Sequence, residues 1–256
     1  MKKFDNKNNI YCYIADFPER VIEEIKSKDC VLNNLIEPMP DIDPVRPFIE
    51  YHYWADSESV NVFQVVGTAH SDYQGIPWIE MLQKGKRMPH NLEMLKKNPQ
   101  YYFEARKKEP AMHYTRINDK IFISGEGNHR TSIAKVLFFF TGHTVLHGIT
   151  FEEIKVDTNL LTKIKTLKNI LLRSLPGIEV EVIRKLVKRE DTAGWKKDYY
   201  KITLKIINHH KLRTIEIGKK EVEDFLDELI KFSQMNFIRR FFTRSFLIKG
   251  KLRELL

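Results

Sequence analysis

The chain has 256 residues, of which 42% are apolar and 30% charged, an ordinary globular composition that excludes a disordered or fibrous protein. No run approaches about 18 apolar residues, so no transmembrane helix is expected, and the basic start lacks the apolar segment of a secretory leader. The formal charge of +9 favours a polyanionic partner without naming one, and two cysteines, Cys12 and Cys30, are too few for a disulfide framework or a cysteine-rich zinc site. Both read as reduced thiols of a cytoplasmic protein.

Residues 9–15 read as a strand, and Pro18 opens a helix over 18–28 with Val21, Ile22 and Ile25 on one face. A proline-rich loop at 38–47 precedes two β-rich runs, Phe48–Trp54 and Val60–Val66, which the turn-like Asp56-Ser-Glu-Ser separates. Pro77 starts a short helix that ends near Gly85, beside a basic knot of Lys84, Lys86 and Arg87 that suits a phosphate or DNA contact or a solvated turn. A polar helix follows over 91–108, then a strand Lys120–Ser124, a glycine-containing turn and an apolar helix over 129–140.

The second half begins with a strand at 152–157 and a helix at 159–173, whose apolar face carries Leu160, Leu161, Ile164, Leu167 and Leu171. Strands are expected at 178–188, 199–208 and 212–217, with Glu190–Trp195 as a hairpin connection and a last helix over 219–234. His209 and His210 fall on a strand in this reading, facing opposite sides, so they share no metal. His52, His70, His90 and His113 lack helical ligand spacing and read as surface or core residues, and Asp41 and Asp43 as a solvated loop or a weak cation site. No metal-ligand set emerges from the spacing.

Charge is uneven. Residues 1–100 carry none of the excess, and 201–256 alone carry +6. In the tail, Arg239, Arg240, Arg244, Lys249, Lys251 and Arg253 interleave with Phe237, Phe241, Phe242 and Phe246. That mixture suits phosphate neutralisation with base stacking, a membrane-surface helix, or a packed helix with a wet basic face.

The most informative segment is Ile121-Phe-Ile-Ser-Gly-Glu-Gly-Asn-His-Arg-Thr-Ser, which reads strand, tight turn, helix. Gly125 and Gly127 allow positive φ and close backbone approach, and the free N–H groups at a helix start favour an anion. His129 and Arg130 are cations where the helix dipole opposes them, which makes sense if phosphate binds there, and Thr131 and Ser132 add hydroxyl donors.

Gly127-Asn128-His129-Arg130 before an apolar helix resembles the signature box of the ParB/sulfiredoxin superfamily. The upstream Trp78-Ile-Glu-Met-Leu-Gln-Lys-Gly-Lys-Arg-Met-Pro is similar to the short helix, glycine and proline that precede that box, so the resemblance covers roughly residues 60–150. It implies a nucleoside triphosphate, CTP or ATP, whose phosphates Gly127, Asn128, His129 and Arg130 contact, beside the Gly125, Thr131 and Ser132 that the turn itself offers to phosphate. It also implies that Glu126 acts with His129 and Arg130 in catalysis, through a divalent metal such as Mg2+. Superfamily members include CTP-hydrolysing DNA-partition clamps, ATP-using sulfiredoxins, a serine kinase and nuclease-like proteins. This chain lacks the cysteine that sulfiredoxins carry in the box, and no clear helix-turn-helix follows it.

The same turn also fits a phosphatase frame, with Ser124 in the nucleophile slot and Arg130-Thr131 after five intervening residues. Serine lacks the low pKa of a loop thiolate, so this version is an inactive phosphate-binding protein. The expected architecture is α+β: a ParB/sulfiredoxin-like domain with an N-terminal extension over 1–150, and a C-terminal α/β extension with a basic tail over 151–256. The expected function is nucleotide binding with hydrolysis or transfer in a DNA-linked process, as a nucleoside triphosphatase, phosphotransferase or nuclease. The rival is a non-enzymatic DNA-binding regulator of a plasmid or phage, with nucleic acid on the tail. Either is compatible with a homodimer.

Overall fold

The computed structural model describes residues 9–234 and 250–255. Arg239, Arg240, Arg244 and Lys249 lie outside the described residues, whereas Lys251 falls in the last described helix. The protein is α+β, with a mixed sheet and helices, and among the described residues no helix is long and apolar enough to cross a membrane.

Two compact units divide the chain. The first takes the chain up to Pro40, then Tyr53–Ile154 and Asp191–Lys197. It holds helices α1 (Ile10–Asp16), α2 (Pro18–Lys26), α3 (Met81–Lys84), α4 (Met88–Lys97) and α5 (Asn128–Thr141). Its strands run in the order β1 (Glu37–Pro38), β3 (Val65–Thr68), β5 (Lys120–Ile123), β4 (His113–Ile117) and β6 (Val145–Val156). Pairing is parallel for β1–β3, β3–β5 and β4–β6, and antiparallel for β4–β5.

Helix α5 forms the centre of this unit and packs against α1, α3 and α4. Ile133, Ala134, Val136, Leu137 and Phe138 are all buried, so the helix is apolar on nearly every side. Lys135 is enclosed with them, 1% exposed, its Nζ donating to the Val65 carbonyl at 2.9 Å over the Trp78 ring at 4.3 Å. Burial pushes that amine down to about 7.

The second unit takes Asp41–His52, Lys155–Glu190 and the chain from Asp198 onward. It contains α6 (Thr158–Ser174), α7 (Val222–Ser233) and α8 (Gly250–Leu255), with strands β7 (Ile178–Thr192), β8 (Trp195–Asn208) and β9 (Arg213–Gly218). Strand β8 pairs antiparallel with β9, placing Leu204 opposite Ile217 and Ile206 opposite Ile215 on a buried face. Strand β2 (Ile49–Asn61) belongs in part to each unit.

Several expectations are corrected. Residues 9–15 are not a strand: Asn9 accepts the Tyr11 amide at 3.1 Å, Ile14 is fully buried, and α1 results. The β preference of Ile and Tyr, within ~1 kcal/mol, is smaller than the gain from burying one large apolar side chain. Asp56–Ser59 is no turn but the middle of β2, where the Asp56 amide donates to the Gly194 carbonyl and its carboxylate meets Lys107 at 3.0 Å. The polar helix at 91–108 instead runs 88–97, because Pro99 cannot continue it. The strand at 152–157 begins earlier, at Val145. His209 and His210 sit in the turn after β8, and the Glu179 carboxylate lies 2.9 Å from His209 Nε2.

Candidate anion-binding cavity

A cavity of about 560 Å³ opens in the first unit, the size of a small-ligand site. One wall is the whole turn Gly125–Arg130; another is one face of α4 with its approach, Arg87, His90, Asn91 and Met94. His70, Tyr73, Tyr101 and Tyr102 supply aromatic surface, and Glu109 and Glu126 are the carboxylates among the lining residues.

Strand β5 delivers the chain into the turn. The Ser124 amide donates to the His113 carbonyl, and the His113 amide to the Glu126 carbonyl, so the turn is tied to β4 on both sides. Gly127, at φ +126, occupies the helix-cap position, a conformation only glycine adopts freely. No side chain caps α5 among the described residues, which leaves the N–H groups of its first turn without intrahelical partners.

The box residues then divide. Asn128 is buried, its Oδ1 accepting from Thr68 Oγ1 at 2.7 Å, so its side chain ties β3 to the helix start. Thr131 and Ser132 are fully buried and absent from the cavity wall. The Thr131 hydroxyl donates to the Gly127 carbonyl at 2.8 Å and lies 2.6 Å from Tyr114 Oη, while Ser132 donates to the Asn128 carbonyl. Their hydroxyls, expected as phosphate donors, therefore face the helix backbone. Ser124, the nucleophile slot of the phosphatase frame, is likewise absent from the wall. Gly125, Glu126, Gly127, Asn128, His129 and Arg130 do meet at the cavity, and Glu126 is exposed there.

His129 Nε2 accepts the Arg87 amide at 3.2 Å and lies 3.3 Å from Tyr73 Oη. Burial, then the Arg87 guanidinium and His70, hold its pKa below the ordinary 6.5, so the ring is neutral with Nε2 as an acceptor. Arg130 donates from Nη1 to Tyr101 Oη at 2.6 Å and to the Pro110 carbonyl, and from Nη2 to the Ala111 carbonyl at 2.9 Å. Lys108, 2% exposed, donates to the Tyr101 and Glu104 carbonyls. These two cations brace the 99–111 segment that forms the far wall. Lys86 lines the cavity but is paired with Asp72 at 2.5 Å.

Sequence reasoning missed His70, Tyr73, His90, Tyr101 and Tyr102, and it placed Lys86 and Arg87 only beside the site. The signal for α4 was its spacing: Arg87, Asn91, Met94 and Asn98 share one helical face that reads as solvated. Among the described residues no group of three or more His, Cys, Asp or Glu is placed to hold a metal ion. No protein-family model matches the chain, and neither curated proteins nor solved structures provide a match.

Proposed function

We propose that the chain binds a nucleoside triphosphate in this cavity, with the phosphates at the start of α5, and acts by hydrolysis or transfer in a DNA-linked process. One observation carries the reading: the uncapped start of a 14-residue helix opens into a cavity of about 560 Å³ between Arg87, His90, His129 and Arg130. Helix N–H groups and the dipole attract an anion, and the guanidinium groups of Arg87 and Arg130 are placed unfavourably unless one arrives. The aromatic surface of Tyr73, Tyr101 and Tyr102 suits a planar base.

The order β5, glycine turn, α5, with the short helix α3 and Gly85 upstream, supports a ParB/sulfiredoxin-like core for the first unit. Glu126 and Glu109 are two carboxylates lining the cavity, and Mg2+ is commonly held by one or two carboxylates alongside phosphate oxygens. Bound there, the ion would neutralise phosphate charge, while Glu126 orients the attacking group. The basic second half, +6 over 201–256, supports a nucleic-acid partner.

The test is thermal unfolding of the full chain with ATP, CTP, GTP and UTP, each with and without Mg2+. A ligand of the folded state stabilises by about 2.7 kcal/mol at a hundredfold excess over its Kd. A rise in Tm with one nucleotide is expected; no rise with any of the four removes the proposal.

A further inference from the structure

The geometry points to Arg87, outside the Gly-Asn-His-Arg box, as the side chain that grips the anion, with Arg130 as the residue that shapes the cavity wall. This deepens the phosphate reading of the cavity and rests on it. The cations at the cavity differ in what they already hold. Both N–H groups of Arg130 Nη1 have acceptors, Tyr101 Oη and the Pro110 carbonyl, and Nη2 gives one more to Ala111. A bidentate grip needs two parallel N–H groups directed at the anion. Three of its five N–H groups are therefore committed to the 110–111 backbone and Tyr101, and without releasing that wall Arg130 offers an anion at most Nε–H and one Nη2 N–H. Lys86 is neutralised by Asp72.

Arg87 is different. It lines the cavity and is exposed, and among the described residues no hydrogen bond or ion pair holds its guanidinium. Its backbone, by contrast, is fixed. The Arg87 amide donates to His129 Nε2 in the first turn of α5, and the Met88 amide donates to the Gly85 carbonyl. Gly85 lies so close to His129 that a Cβ there would sit 2.7 Å from the ring. The 85–87 turn is thereby locked against the start of α5, and an unengaged guanidinium projects from it beside helix N–H groups without partners. Fixed backbone and free fork are the arrangement that loses least entropy on gripping phosphate.

The experiment is calorimetric titration of the full chain with inorganic pyrophosphate, at several salt concentrations, for wild type and for the Arg87→Gln and Lys86→Gln variants. Arg87 and Lys86 are both exposed, and the two changes remove equal charge. Wild type is expected to bind, Arg87→Gln to lose tenfold or more in affinity with a shallower salt dependence, and Lys86→Gln to lose less than threefold. Arg87→Lys restores charge without the fork and should recover only part of the loss. Equal binding by wild type and Arg87→Gln overturns the assignment and leaves the cavity's anion site standing. Equal losses in both glutamine variants overturn it too, because only the general field then matters. Absence of pyrophosphate and nucleotide binding in wild type removes the phosphate reading itself, and this inference with it.

Discussion

Helices α5 and α6 each follow a strand, α5 after a four-residue turn and α6 after Asp157 alone, yet their starts are built in opposite ways. At α6, Asp157 supplies an anion from within the chain: its Oδ1 accepts the Leu160 amide at 2.9 Å, and Lys219 lies 2.6 Å from Oδ2. At α5 the same position is Gly127, no side chain caps the helix among the described residues, and the first turn holds His129 and Arg130. The bodies differ as well. Helix α6 buries one stripe, Leu160, Ile164, Leu167 and Leu171, whereas α5 is buried nearly all round, a lysine included. A helix that carries its own anion is complete as it stands; one that gathers cations around bare N–H groups is, on the proposed reading, completed by a guest.

The largest effect should come from the body of α5. Lys135 has a folded pKa of about 7, far below its ordinary 10.5, so between these values the unfolded chain binds a proton that the folded chain does not. Stability must therefore rise with pH across that window, by roughly 1.4 kcal/mol per pH unit and on the order of 5 kcal/mol in all. Urea unfolding at pH 7 and pH 10 for wild type and Lys135→Met isolates the contribution. The variant should lack the rise, and parallel pH profiles would show that the amine is not desolvated.

Next come the two caps. Gly127→Ala forces a side chain into φ +126 and brings a Cβ to 3.3 Å from Met112, so it should cost about 2–3 kcal/mol and abolish stabilisation by pyrophosphate. Asp157→Ala should cost about 1–2 kcal/mol with no effect on ligand. Burial pushes the Asp157 carboxyl up, but the Leu160 amide and the Lys219 ammonium outweigh this and hold it below its ordinary 3.8. Its stabilisation is thus present above that value and lost as pH falls beneath it. Chemical denaturation with and without pyrophosphate checks both. Equal ligand responses in the two variants would dissolve the distinction between the starts.

How legible these features are in the sequence follows from how local their causes are. The α6 stripe is periodic, and 159–173 is close to the observed 158–174. The α5 turn is readable because two glycines and a strand–turn–helix order are packed into a dozen residues. Lys108 and Lys135 are not readable, since lysine implies solvent and their acceptors, carbonyls of Tyr101, Glu104 and Val65, are set by tertiary packing. Nor was the second wall of the cavity: Arg87 and Met94 look like the wet side of an ordinary helix until α5 is laid beside them. Residues 9–15 failed for a related reason, as seven residues with strand-like composition became helical through an Asn9 cap and a buried Ile14.

The smallest effect is the most direct reading of charge at the α5 start. His129 accepts the Arg87 amide at Nε2, so protonation there would set a donor against a donor. Burial, Arg87, His70 and Arg130 disfavour the cation, Glu126 favours it, and the balance lies below 6.5. A group with a depressed folded pKa leaves stability intact above the unfolded value and withdraws it as pH falls through the folded one, so the loss begins below about pH 6.5. This window is well separated from that of Asp157. An anion in the cavity reverses the field, so pyrophosphate should raise the His129 pKa. Following the ring proton by NMR from pH 5 to 8, with and without pyrophosphate, tests both points. Titration at or above 6.5 in the free chain would mean that the α5 start is not electropositive, and that the absence of a capping carboxylate there is no invitation to an anion.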